Sequence, residues 1–206
     1  MSLLQRIGWR RCGLILAIFI ALGLTATYLY HYFYSKEPEI ALVIGEPYEA
    51  MRQRSSADID PHLPGKIWHN IPKTDARLRF IDPQYGFVTL PARFFAVLYA
   101  NDVVTSVRIS PQIEPLLYDD AIKIVLDLQE QWHKSGWVPK YTKEFLPLVN
   151  TPELHESLRN MKGGAGTTYL RATNQYQIML SLARFKDDRH PDEERYLITL
   201  VISKPW

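Results

Sequence analysis

The stretch YQIMLSLARFKDDRHPDEERYLITLVISK, residues 176–204, decides the fold of this chain. Its two ends, Tyr176–Lys186 and Arg195–Lys204, are rich in branched and aromatic residues and are typical of strands. The charged residues 187–194 between them predict a hairpin connection. Because side chains alternate between the two faces of a strand, at least one face of this hairpin is buried. The side chains that share this face are Tyr196, Ile198, Leu200 and Ile202.

A second hairpin is predicted upstream of the first. The segments Phe94–Tyr99 and Val103–Ile109 flank Asn101 and Asp102. Asn and Asp tolerate the positive φ that a two-residue hairpin turn requires, so this pair marks the turn. Three shorter strands are predicted at residues 39–44, 76–81 and 87–90.

The segment between the first two predicted strands contains little regular structure. Pro47 is suited to the start of a short helix. Residues 55–72 hold three prolines and show no apolar periodicity, which predicts a loop. Trp68 is the one large aromatic residue of this loop, and we expect it to pack onto the core.

Two main helices are predicted in the second half. The first begins at Asp119, as its N-cap, and ends before Gly136. The second has Thr151 as N-cap and Pro152 at its first position, and it ends at Gly163-Gly164. The apolar stripe of the first helix repeats every three or four residues and consists of Ala121, Val125, Leu128 and Trp132.

These elements predict an α+β fold, in which antiparallel hairpins form a sheet and two main helices pack against it. The 170 or so residues after position 36 suffice for one domain with its own core. We therefore divide the chain into a short N-terminus at residues 1–11, an anchor at 12–35 and one α+β domain at 36–206.

The anchor is predicted from 24 consecutive residues without Lys, Arg, Asp or Glu, CGLILAIFIALGLTATYLYHYFYS at 12–35. A helix of this length is roughly 36 Å long, enough to cross a bilayer core of about 30 Å. Arg6, Arg10 and Arg11 precede it, which favours a cytoplasmic N-terminus and export of the domain. A signal peptide cleaved after Gly23 is the alternative, and it exports the same domain.

Charge and cysteine content narrow the compartment and the class of partner. The formal charge is +2, but without the three arginines that precede the anchor 21 basic residues face 22 acidic ones. A nearly neutral domain does not favour nucleic-acid binding. The one cysteine, Cys12, lies at the start of the anchor, so the exported domain has no disulfide. A bacterial inner-membrane protein that passes the membrane once and faces the periplasm fits these features best.

No sequence pattern predicts catalysis, a cofactor or a metal. Two clusters, 58–62 (DIDPH) and 187–190 (DDRH), contain metal-ligating residue types, but neither has the spacing of a known site. No serine lies in a G-x-S-x-G turn. The segment 162–168 (KGGAGTT) places Lys before the glycines, whereas a phosphate-binding loop places it after them. We therefore expect a binding protein rather than an enzyme.

Two exposed features are candidates for binding a protein partner. Trp137 and Tyr141 follow the first main helix, and aromatic residues commonly anchor protein interfaces. The tip of the last hairpin carries Asp187, Asp188, Arg189 and His190, whose mixed charges could steer a partner. The alternative for the tip is a solvated turn that keeps the hairpin soluble.

Part of the chain resembles a known class of proteins. The segments are GFVTLPARFFAVLYANDVVTSVRISPQ (86–112) and PLLYDDAIKIVLDLQEQWHKSGW (115–137). They resemble the periplasm-facing immunity proteins that accompany antibacterial effectors of type VI secretion. The first segment also resembles small α+β modules of outer-membrane assembly lipoproteins, although the lipid-bearing cysteine of those proteins has no counterpart here.

The resemblance to immunity proteins implies a function without chemistry. Such a domain would bind an effector enzyme delivered to the periplasm and block it. The alternative is an accessory subunit that helps to assemble a cell-envelope or secretion complex. Both interpretations require a protein partner and a membrane anchor, and neither requires a cofactor.

Overall fold

The computed structural model describes Phe19, Thr25 and residues 37–141, 143, 146–161 and 163–205. The predicted anchor at 12–35 lies outside these residues apart from Phe19 and Thr25. Within the described part of the chain, no helix has the length and apolar character needed to cross a bilayer. Residues Pro38–Trp206 form one compact unit, and the fold below is that of this unit.

The unit has an α+β fold, as predicted, with mostly antiparallel sheets. Three helices are present among the described residues: α1 Tyr48–Arg54, α2 Tyr118–Lys134 and α3 Pro152–Arg159. The strands of the first half are β1 Glu39–Leu42, β2 Ile67–Asn70, β3 Arg77–Phe80, β4 Phe87–Val88, β5 Phe95–Ala100 and β6 Val103–Ile109. Those of the second half are β7 Leu116–Leu117, β8 Val138–Pro139, β9 Thr167–Ala172, β10 Tyr176–Phe185 and β11 Arg195–Ser203.

The described strands form two sheets. The larger has eight strands, seven of them in the order β2-β5-β6-β11-β10-β9-β8, and β7 adds to the end of β11. All of its pairings are antiparallel. The smaller sheet has the order β1-β3-β4, with β1 parallel to β3. Strand β11, the last of the described strands in the sequence, is therefore the central strand of the large sheet.

Both predicted hairpins are confirmed. Strands β10 and β11 pair from Gln177 opposite Ser203 to Phe185 opposite Arg195. Strands β5 and β6 are joined by Asn101 and Asp102, with φ of 49° and 66°. Both turn residues are therefore left-handed, as a type I′ turn needs to match the twist of its strands.

The predicted helices are confirmed, with corrections at their ends. Helix α2 begins at Tyr118, and its N-cap Leu117 provides no side-chain hydrogen bond, so the prediction that Asp119 caps it is wrong. Asp119 lies in the first turn instead. The Thr151 hydroxyl does cap α3 by accepting from the Leu154 amide at 3.2 Å. Helix α3 ends at Arg159, earlier than predicted.

The prediction of a loop over residues 55–72 is wrong in one place. Strand β2 lies within it and pairs with β5 at the edge of the large sheet. Trp68, predicted to pack onto the core, is 55% exposed. The strand carries no buried side chain and so leaves no alternating pattern in the sequence. Its pairing depends on backbone bonds to a distant strand.

One hydrophobic core joins both sheets and the helices. Helix α2 contributes the stripe predicted for it, and Trp132 is completely buried. Strand β11 contributes Tyr196, Ile198, Leu200 and Ile202, all completely buried, which confirms the predicted face. Gly166, at φ 74°, packs so tightly on the Leu182 carbonyl that a Cβ would lie 2.1 Å from that oxygen. Gly166, at the end of the glycine-rich connection after α3, is thus part of the packing.

Candidate protein-binding surface

The large sheet has one covered face and one open face. On β11, Leu197, Thr199 and Val201 alternate with completely buried residues and are partly exposed. Their cross-strand neighbours on β10 include Met179, opposite Val201. We define the open face by eight side chains of this parity that are exposed or partly exposed: Leu98, Arg108, Tyr169, Arg171, Met179, Leu197, Thr199 and Val201. None of them belongs to the hydrophobic core or packs against it.

The open face combines apolar side chains with positive charge. The strands of the large sheet contain no Asp or Glu, and their charged residues are all arginines. Arg108 and Arg171 are exposed on this face, and neither forms an ion pair with a carboxylate of the described residues. The Arg108 guanidinium lies 5.7 Å from the centre of the Phe94 ring. A partner with apolar groups bordered by carboxylates would complement this surface.

A groove of about 410 Å³ lies at one end of the open face. Its apolar lining comes from Phe94, Ile113, Phe185 and Leu197. Its charged lining has both signs and consists of Arg93, Lys186, Arg189, Glu114, Asp187 and Asp188. Phe94 and Phe185 are substantially exposed, as is Ile113. The groove thus offers a concave apolar site of the kind that receives an anchor side chain of a protein partner.

The groove is bordered by the predicted tip of the last hairpin, residues 187–190. Asp187 is only 5% exposed, and its carboxylate accepts bonds from His190 Nδ1 at 3.0 Å and from Arg189 Nε at 3.2 Å. Hydrogen bonds from His190 and Arg189 hold the pKa of Asp187 well below its usual value. Asp187 therefore organises the tip internally. Asp188, Arg189 and His190 remain exposed enough to contact a partner.

The structure separates the two aromatic residues predicted to bind a partner. Trp137 is 2% exposed, and its Nε1 donates to the Tyr85 carbonyl at 3.1 Å. It is a core residue and offers no surface. Tyr141 is 39% exposed and meets the Tyr169 ring edge to face, with centroids 5.5 Å apart. Because Tyr169 belongs to the open face, Tyr141 lies at its border.

Gln112 connects the groove to the centre of the sheet. Strand β11 pairs with β7 at residues 195–196 and with β6 at residues 200–203. Next to the gap between these two pairings, the Gln112 side chain bonds to the β11 backbone in place of a strand. Its Oε1 accepts from the Ile198 amide at 2.8 Å, and its Nε2 donates to the Tyr196 carbonyl at 3.1 Å. Ser110 adds a hydroxyl bond to the Ile198 carbonyl at 2.6 Å. The motif Ser110-Pro111-Gln112 therefore has a structural role beside any role in binding.

The first candidate metal cluster is divided between two ion-pair networks. Asp58 and Asp60 both contact Lys73 Nζ at 3.1 Å. His62 instead lies between Glu49 and Asp102, 3.1 Å from each. Among the described residues, no group of three or more His, Cys, Asp or Glu side chains is arranged to hold a metal ion.

Several residues of the surface were not predicted from the sequence. Phe94, Ile113 and Phe185 are scattered along the chain and meet only in the folded sheet. A signal was nevertheless present in β11, where Leu197 and Val201 make the second side of the strand apolar as well.

Comparisons with family models, curated proteins and solved structures find no match to this chain. The resemblance to immunity proteins is therefore still a prediction. The function proposed below is argued from the open face and its groove.

Proposed function

We propose that this chain is a membrane-anchored, periplasmic immunity protein that binds and inhibits an antibacterial effector enzyme through its open face. In this proposal residues 12–35 cross the inner membrane once, residues 1–11 are cytoplasmic and the α+β domain faces the periplasm. The domain acts by binding and performs no chemistry. It needs no cofactor.

The observation that carries the proposal is the contrast between apolar character and charge on the open face. Partly exposed Leu197, Val201 and Met179 surround a region with no carboxylate from any strand of the sheet. Arg108 and Arg171 add two exposed cations without carboxylate partners among the described residues. The strands of this face therefore carry charges of one sign, which favours a partner of opposite charge and raises the rate of association. A protein with an acidic rim around an apolar patch fits this surface.

Anchoring would serve such a function physically. An effector that attacks the cell wall or membrane lipid acts close to the periplasmic side of the inner membrane. An inhibitor confined to the same layer meets its target at a raised effective concentration.

The test is competition between sibling cells. Deletion of the gene should make cells at least tenfold less competitive against siblings whose secretion system is active, and the wild-type gene should restore them. The double variant Arg108→Glu and Arg171→Glu should accumulate normally and fail to restore, because it repels an acidic partner. Lys123→Glu reverses an exposed charge on α2 and should restore fully, since α2 packs with the buried face of β11 on the covered side of the sheet.

A deletion strain that survives attack as well as its parent would contradict the immunity function. The alternative, an accessory subunit of an envelope complex, makes a different prediction. In that case the chain co-purifies with several membrane subunits, and its deletion impairs assembly in cells that are not under attack.

A further inference from the structure

The two edges of the large sheet differ in how they are protected. The β8 edge is two residues long and contains Pro139, which has no amide proton to offer a further strand. The β2 edge has four residues, none of them Pro or charged, and Ile67 is 80% exposed. No other described strand pairs with its outer side. This edge is short, but it carries no charge or proline, and its two apolar side chains, Ile67 and Trp68, are exposed, so its unpaired backbone groups are open to a further strand.

Strand β2 is held firmly in place. The Asn70 side chain donates to the Tyr48 hydroxyl and to the Asp60 carbonyl, both at 3.0 Å. At the other end, the Leu63 amide donates to the Tyr99 hydroxyl at 2.9 Å. The edge is therefore already in the conformation that an added strand requires, which lowers the entropy lost on pairing.

A second copy of the chain fits this edge. In an antiparallel pair related by a two-fold axis perpendicular to the sheet, one residue must face its own copy. With Trp68 at that position, Ile67 faces His69 of the other copy and Lys66 faces Asn70. Trp68 then forms a cross-strand aromatic pair, and opposed Cβ atoms lie about 4.5–5.5 Å apart. A two-fold axis makes a closed dimer, because each copy uses the same edge and none is left for a third copy.

Charge supports the same arrangement. Asp58 and Asp60 flank Lys73 and leave one net negative charge beside Asn70. Lys66 precedes the other end of the strand. Antiparallel pairing brings Lys66 of each copy towards the acidic cluster of the other, and it does so twice by symmetry.

We propose that this chain forms a homodimer through antiparallel pairing of its β2 strands around Trp68. The two large sheets join into one continuous sheet, and the two open faces lie on the same side of it. This proposal stands independently of what the open face binds.

Crosslinking in the membrane tests the register. Full-length chains with Cys12→Ser and either Ile67→Cys or His69→Cys are expressed together with different tags and oxidised mildly. Because residue 67 faces residue 69 across the pair, a disulfide-linked dimer with both tags should form at least tenfold faster than for Ile67→Cys with Met161→Cys. Met161 is 74% exposed and lies away from the edge. Equal rates for the two combinations would overturn the proposal.

The mass of the full-length protein in detergent provides a second measurement without cysteines. The wild type should show a concentration-dependent dimer by sedimentation. Trp68→Lys should weaken this association at least tenfold, because it places two like charges opposite each other, whereas Met161→Lys should not change it. A wild type that is monomeric at all concentrations would also overturn the proposal.

Discussion

The two faces of the large sheet are built from the same strands but carry different chemistry. On β11 the covered face has Tyr196, Ile198, Leu200 and Ile202, all completely buried. The open face of the same strand has Leu197, Thr199 and Val201, which remain partly exposed. Apolar side chains thus occur on both sides, and only one side is used to hold the fold together.

This difference separates stability from recognition. Removing apolar area from water stabilises the fold only where the side chain is covered. An exposed apolar side chain does not stabilise the free protein in this way. When a partner covers it, the same removal of apolar area from water stabilises the complex. Substitutions on the two faces should therefore act on different measurements.

The largest expected contrast compares two leucines three residues apart on β11. Leu200→Ala should lower the free energy of unfolding by about 3–4 kcal/mol, because it leaves a cavity in the core. Leu197→Ala should lower it by about 1 kcal/mol or less, since the side chain is partly exposed. Urea unfolding of the full-length chain followed by near-ultraviolet circular dichroism measures both.

The same pair of variants separates the faces in function. Under the proposed function, Leu197→Ala should weaken protection against the effector although the protein stays folded. If Leu197→Ala proves as destabilising as Leu200→Ala, the open face is covered in the folded protein. That result would contradict the claim that only one face of the sheet stabilises the fold.

A smaller effect is expected at the seam between β6 and β7. Gln112→Ala should lower the free energy of unfolding by about 2 kcal/mol, because the Ile198 amide and the Tyr196 carbonyl lose their partner while buried. Thermal unfolding measures the loss. Gln175→Ala, at an exposed turn, is the matched control and should have little effect. Equal stability of the two variants would show that water replaces the Gln112 amide.

Local patterns predicted most of the fold because each acts within a few residues. The period-two pattern of β10 and β11, the Asn101-Asp102 turn and the Thr151 cap all carried their own physical signal. Strand β2 was missed since its stability comes from pairing with β5, about thirty residues away, rather than from burial of its side chains.

The candidate site was less predictable for a related reason. Trp137 has the residue type of an interface anchor, but the fold places it against Tyr85 and Phe87 in the core. Phe94 and Phe185 look like ordinary strand residues, and only the pairing of distant strands brings them to one groove. Residue type suggests what a side chain can do, whereas tertiary pairing decides which side of the sheet it occupies.

The smallest expected effect concerns the tip that borders the open face. Hydrogen bonds from His190 and Arg189 lower the pKa of Asp187, so the folded protein keeps this carboxylate ionised at pH values where the unfolded chain binds a proton. Its contribution is present above about pH 4, the pKa of an unperturbed Asp, and is lost as the pH falls towards the folded pKa. Asp187→Asn should therefore remove part of the acid sensitivity of the free energy of unfolding.

The measurement is urea unfolding of wild type and variant at several pH values between 2 and 6. The two curves should differ most at pH 6 and converge towards pH 2, because the wild type loses the Asp187 contribution on the way. Asp188→Asn is the control, since the Asp188 side chain is 88% exposed and bonds only weakly to Lys186. A constant difference between wild type and Asp187→Asn would mean that Asp187 organises the tip through its shape alone. The tip would then border the open face as a rigid rim whose conformation does not depend on pH.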